Sequence, residues 1–162
     1  MKKALVISAV LALTITPIKS LANYLEPKQS EIRPGGGLIH TNLKGVNIGN
    51  TDLNNAKLNN SNLSFAELSG ADLMGADLMG ADLNNANMIN TNLSNANLNS
   101  ANLSGVNLSG RNLSNHRFRD ADLSDADLSE ANLNGAKLDG ANLRRADLTD
   151  VIAENLGSCP SS

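Results

Sequence analysis

From Thr41 to Asp150 the chain is one five-residue unit repeated 22 times, with no insertion or deletion to shift its phase. The third residue of each unit, its centre, is Leu in 19 of the 22, the exceptions being Ile48, Met88 and Phe118. The first residue is mostly Ala, the second is Asn or Asp in 18 units, and the fourth and fifth are mainly Ser, Asn, Gly and Asp. A helix wants apolar residues every 3.6 positions and a half-buried strand every second one, so a period of five fits neither. Ala and Leu on either side of one polar residue make a very short straight segment, and the Gly- and Asn-rich pair behind them turns the chain. A chain that runs straight and turns at fixed intervals has to coil. With each turn near a right angle, four units close a circuit of about 20 residues, and stacked circuits pair their backbones at about 4.8 Å. The 22 units then make about 5.5 coils, a rod roughly 26 Å long.

Composition agrees with such a shaft. Aromatics are 2 % of the chain and Trp is absent, so a core built on aromatic anchors is excluded. Leu stacked on Leu and Ala on Ala fills a narrow interior without them, each coil adding its own buried layer. An Asn-rich disordered polymer is the bland alternative, but disorder has no reason to hold one phase through the whole of 41–150. A single cysteine excludes a disulfide scaffold, and an acidic chain poor in aromatics excludes the usual basic nucleic-acid binder.

The ends differ from the repeat. Met1-Lys2-Lys3, the apolar run to Ile18 and Ser20-Leu21-Ala22 have the layout of a secretory signal, so residues 1–22 are expected to be removed and the protein exported. Removal takes away three lysines, leaving 10 basic and 16 acidic side chains, a net charge of −6. That balance disfavours direct binding of nucleic acid or stable attachment to an anionic membrane. Residues 23–40, with Pro27, Pro34 and three consecutive glycines, read as a flexible leader and N-terminal cap, with Gly36-Gly37-Leu38 as a degenerate unit. Residues 151–162 are expected to hold a short capping helix and a tail. Asp150 suits the helix N-cap, Gly157 its end, and Val151, Ile152 and Leu156 would cover the last coil. Cys159 in the tail would meet an oxidising compartment, as a solvated thiol or as a bridge between two chains; a monomer or weak dimer is expected.

The Ala-(Asp/Asn)-Leu-x-x units resemble the pentapeptide repeat proteins over 41–150. The resemblance implies an all-β fold, a right-handed quadrilateral β-helix. With the export signal, the chain looks like small cyanobacterial members sent to the periplasm or thylakoid lumen. Some members resemble duplex DNA in size and charge and bind type II topoisomerases. That implies an alternative here, a DNA-mimic inhibitor or protector of such an enzyme. Asn outnumbers Asp at the second position, 11 to 7, and the loop insertions of the quinolone-protecting members are missing.

No chemistry emerges from the repeats. His40 and His116 have no Cys or second His at ligand spacing, so no metal is implied. Serines sit at turn positions, and Asp72, Asp77 and Asp82 fall on consecutive faces, where they cannot act as a pair. Neither enzyme activity nor a cofactor is expected. Phe65, Met74, Met79 and Ile89 scatter over four faces rather than forming a stripe.

One defect interrupts the pattern, at residues 111–120. Arg111 and His116 take first positions otherwise held by small residues or Val, and Phe118 takes a Leu place. Either the two long side chains snorkel outward while Phe118 fills the space, or the site is a notch for a ligand or partner. Residues 20 apart share a face. One face carries Arg117, Arg119 and Lys137 with Asp139 as its nearby acid, and the opposite face carries Asp127, Glu130, Asp147 and Asp150. Arg111, His116, Arg117, Arg119 and Lys137 are therefore the candidate contacts for an acidic protein partner on an exported scaffolding module. Second-position residues such as Asn97 are expected to face water and to tolerate Asp.

Overall fold

The structure, a computed structural model, describes residues 32–154. The proposed signal, most of the leader, Leu156, Gly157 and Cys159 lie outside them.

The second residue of every unit is where one circuit meets the next. Parallel bridges join residues 20 apart, from Gly37 with Lys57 to Asn132 with Ile152, so four units make each circuit. Each bridge is a single residue wide, and no longer strand occurs among the described residues. Around each bridge the backbone bonds repeat in register. Asp77 N–H reaches Ala56 O in the coil before (2.9 Å), and Leu78 N–H reaches Asn97 O in the coil after (2.9 Å). Residues 36–40 already belong to this pattern: Gly37 bridges Lys57, and Leu38 is buried.

The corners show why the fourth and fifth positions have their composition. The first residue of each unit donates back to the preceding centre, as Ala56 N–H does to Leu53 O (3.0 Å), closing a four-residue turn. The fifth residue has positive φ at every step from Gly35 to Asp150. A left-handed residue at that place is the signature of a type II turn, which favours Gly and Asn. His40, Phe65, Ser100, Glu130 and Arg145 adopt the same φ against the usual preference of side chains with a Cβ. The second residue braces its own turn as well. Asp72 Oδ1 accepts the N–H of Met74 (3.2 Å), and Asp77 and Asp82 repeat the contact with Met79 and Asn84.

Centres and first residues face inward. Leu53, Leu58 and their neighbours are fully buried with Ala56, Ala66 and Ala76, and Phe118 is buried as completely. The expected C-terminal helix is not formed over the part that is described. Ile152 continues the coil instead, bridging Asn132 with its N–H on Ala131 O (2.9 Å) and its own carbonyl accepting from Leu133 (2.7 Å). The ladder of the preceding coil offers this backbone partners that a helix would forgo. As a second-position residue, Ile152 points outward and is exposed, whereas Val151 packs partly against the core.

Candidate functional site

Register decides which charges meet. Arg117 bridges Asn97 on one side and Lys137 on the other, so the two cations stand on adjacent rungs of one face, both exposed. Arg119 lies two residues along on the same face and reaches Asp139 at 3.7 Å, an exposed pair. Across the shaft Asp127 bridges Asp147, with Glu130 and Asp150 exposed beside them. The face runs of opposite sign are thus adjacent rungs of the fold.

Arg111 and His116 occupy a different feature. The ladder between residues 86–96 and 106–117 is interrupted: the bridges that would join Asn87 to Asn107 and Asn92 to Asn112 are missing, although both sides bridge normally to their outer neighbours. The backbone bonds go with them. Leu93 N–H finds no partner on Asn112 O, nor does Arg117 N–H on Ala96 O, while the turns at both levels stay closed. The step between the two coils holds a cleft of about 190 Å³, lined by Met88, Leu93, Leu108 and Leu113 together with polar residues that include Asn112 and Arg111.

The oversized first residues flank this interruption. Ala at that place lets coils stack at strand spacing, whereas Arg111 and His116 carry side chains too large for it. His116 does not snorkel. Its ring is turned in and 6 % exposed, 6.0 Å from the Phe118 ring, with Nε2 2.8 Å from Leu93 O and Nδ1 3.1 Å from Ser114 O. It occupies the step and takes the corner carbonyl of the coil before, as Thr91 Oγ1 does with Leu68 O (2.9 Å) five units earlier. Thus Arg111 and His116 lie in the open step, and Arg117, Arg119 and Lys137 lie around the corner.

A family model for pentapeptide repeats, in eight copies, matches residues 41–79, 76–115, 101–140 and 117–152, most of the chain. The chain belongs to the pentapeptide repeat proteins. This repeat protein is 30 % identical to Rfr23 of the cyanobacterium Cyanothece 51142, over 73 % of its own length and 87 % of that chain (TM-score 0.28). It is 26 % identical to a pentapeptide repeat protein of the Arabidopsis thaliana thylakoid lumen, over 74 % and 76 % (TM-score 0.30). To QnrB1, a plasmid-mediated fluoroquinolone resistance protein, it is 22 % identical over 75 % and 78 % (TM-score 0.41). A search of curated proteins returns no match.

The carboxylates of this pentapeptide repeat protein have structural partners that their one-per-unit spacing does not reveal. Asn92, Asn97 and Asn102 each donate their side-chain amide to the Asp directly below, at Asp72 (2.9 Å), Asp77 (3.0 Å) and Asp82 (3.1 Å). Among the described residues no three His, Cys, Asp or Glu side chains cluster to hold a metal ion. Ser124 holds the Asp122 carboxyl below the usual range, helped by Asn142, and Thr149 does the same for Asp147. Arg145, bound to both oxygens of Asp125 at 2.6 Å, lowers that carboxyl too. Carboxyls depressed by folding contribute stability above their unfolded value, about 3.9, and that contribution is lost as pH falls through the folded values. The melting temperature is therefore expected to drop below about pH 4, and to drop less in Asp122→Asn/Asp147→Asn; thermal unfolding at pH 5 and pH 2.5 checks this.

Proposed function

We propose that the protein is an exported, non-catalytic interaction rod, right-handed in its coil, that docks an acidic protein partner on the face of Arg117, Arg119 and Lys137. The observation that carries the reading is the adjacency of Arg117 and Lys137, exposed on consecutive rungs while the far face stacks Asp127 on Asp147. Two like charges on neighbouring rungs raise the local potential without any fold requirement for them, and opposite signs on opposite faces orient an approaching partner. The signal-like layout of residues 1–22 supports export to a periplasm or lumen. The guanidinium and ammonium groups of the face act by charge recognition.

The test is capture of partners from the periplasmic or lumenal fraction that contains the processed protein, at low and at high salt. Wild type is expected to retain an acidic partner that Arg117→Ala/Arg119→Ala loses, with Asp127→Asn/Asp147→Asn as the control on the opposite face. Retention should weaken as salt rises, since exposed charges are screened within about 10 Å at 0.1 M. Equal capture by both variants, or an intact Met1 on a cytoplasmic protein, overturns the reading. Binding to a type II topoisomerase in competition with duplex DNA would replace it by the DNA-mimic alternative.

A further inference from the structure

We propose that the open step between the two coils is a docking slot for an extended acidic segment of a partner protein, with Arg111 receiving a carboxylate and the two unpaired backbone lips receiving the segment's main chain. The inference rests on the interaction-rod reading and adds, beside the basic face, a second contact site and one conformation of the partner.

Three observations carry it. The first is the backbone itself. The Leu93 N–H and the Asn112 N–H and carbonyl are left unpaired across the step, although their counterparts one coil earlier, Leu73 and Asn92, are bonded at 2.8 and 2.9 Å; the Leu93 carbonyl is already taken by Ala96 and His116. Unmatched main-chain groups along a ladder edge are what an added extended segment pairs with. The second is Arg111, half-buried beside the cleft, whose guanidinium makes no hydrogen bond or ion pair among the described residues. A planar five-donor group held next to apolar side chains is matched by a carboxylate, which it can grip bidentately. The third is size and polarity. About 190 Å³ over Met88, Leu93, Leu108 and Leu113 is below the roughly 300–1,000 Å³ of small-molecule pockets, so the space suits a side chain and a short run of backbone.

Charge also sets the direction. At the far end of the step Asn107 Nδ2 is bound to Asp127 (3.1 Å), so a second acid there meets a like charge. At the near end the step reaches the His116 corner, where Arg117 opens the basic face. The segment therefore carries its acid at the Arg111 corner and is neutral toward Asn107.

The probe is Gly-Val-Asp-Val-Gly-amide carrying fluorescein on its N-terminal amine, titrated against the full chain by anisotropy with free fluorescein as the blank. Binding is expected, at least about tenfold weaker for Arg111→Gln, for the probe with Asn in place of Asp, and for the probe with N-methylated backbone; Arg111→Lys should fall between. Circular dichroism of each variant confirms that it is folded, and in wild type the probe should slow amide exchange at Leu93 and Asn112. No binding, equal binding by wild type and Arg111→Gln, equal binding of the N-methylated probe, or full displacement by an equal concentration of sodium acetate overturns the slot. So does binding that the protein's own terminal segments outcompete, seen as a gain on deleting residues 1–31 or 155–162 that abolishes the Arg111 dependence. Loss of probe binding in Arg117→Ala/Arg119→Ala but not in Arg111→Gln would also overturn it while leaving the basic-face reading intact. Partner capture that fails with probe binding preserved would sink only the basic face.

Discussion

Leu98→Asp is expected to abolish the cooperative unfolding transition of the rod, while Asn97→Asp lowers the melting temperature by only a few degrees. Leu98 is fully buried in the shaft, with the centres 78 and 118 directly below and above it. Its replacement removes the apolar contacts, costing about 2–5 kcal/mol, and leaves a carboxylate without a partner, for about 3–5 kcal/mol more. The sum is comparable with the whole stability of a small domain, about 5–15 kcal/mol. Because each coil rests only on its neighbours, a break at the middle coil also uncouples the two halves. By sequence alone Asn97 is an indifferent surface residue, and its register shows otherwise. It is half-buried, its amide donates to Asp77 (3.0 Å), and its Oδ1 accepts the Asn99 N–H. Asp at 97 keeps the turn contact but replaces a hydrogen bond with two carboxylates facing each other, a loss of about 1 kcal/mol. Thermal unfolding followed by circular dichroism separates the cases. Identical transitions for both variants would mean that inside and outside are misassigned.

In Arg111→Ala/His116→Ala the open step is expected to close. With Ala at both first positions, the corner matches that of Ala96 and Ala136 on either side of His116, and nothing holds the coils apart. Leu93 N–H would then reach Asn112 O, and Arg117 N–H would reach Ala96 O, as their counterparts do at other levels. Amide exchange reads this directly. In wild type these two amides should exchange far faster than Leu73 and Asp77, whose ladder bonds are made at 2.8 and 2.9 Å. Closure should slow them by about 100-fold, equivalent to roughly 2.7 kcal/mol of local opening free energy. The same variant should lose probe binding. Unchanged exchange at Leu93 and Arg117 would mean that the interruption comes from Met88 or Phe118 instead.

The five-residue phase determined the circuit, the turn positions and the buried centres, because a periodic chain has one way to put every Leu inside while pairing every bridge residue. Those are local requirements repeated at each unit, so they are visible one unit at a time. The turn chemistry is equally local: a left-handed fifth residue explains Gly45 and Asn50, and the Asx contact explains Asp72. What the chain does at a distance of 20 residues was not visible in that way. The amide of Asn92 on Asp72, the adjacency of Arg117 and Lys137 as exposed rungs, and the continuation of the coil through Ile152 all depend on what the neighbouring circuit presents. The open step is the sharpest case. Arg111 and His116 stood out as oversized first residues, but whether they would turn out into solvent or force the coils apart is decided by the room above Thr91 and Ala96. The His116 ring took the interior, where the Leu93 carbonyl accepts a hydrogen bond from its Nε2, and two bridges of the ladder are missing beside it.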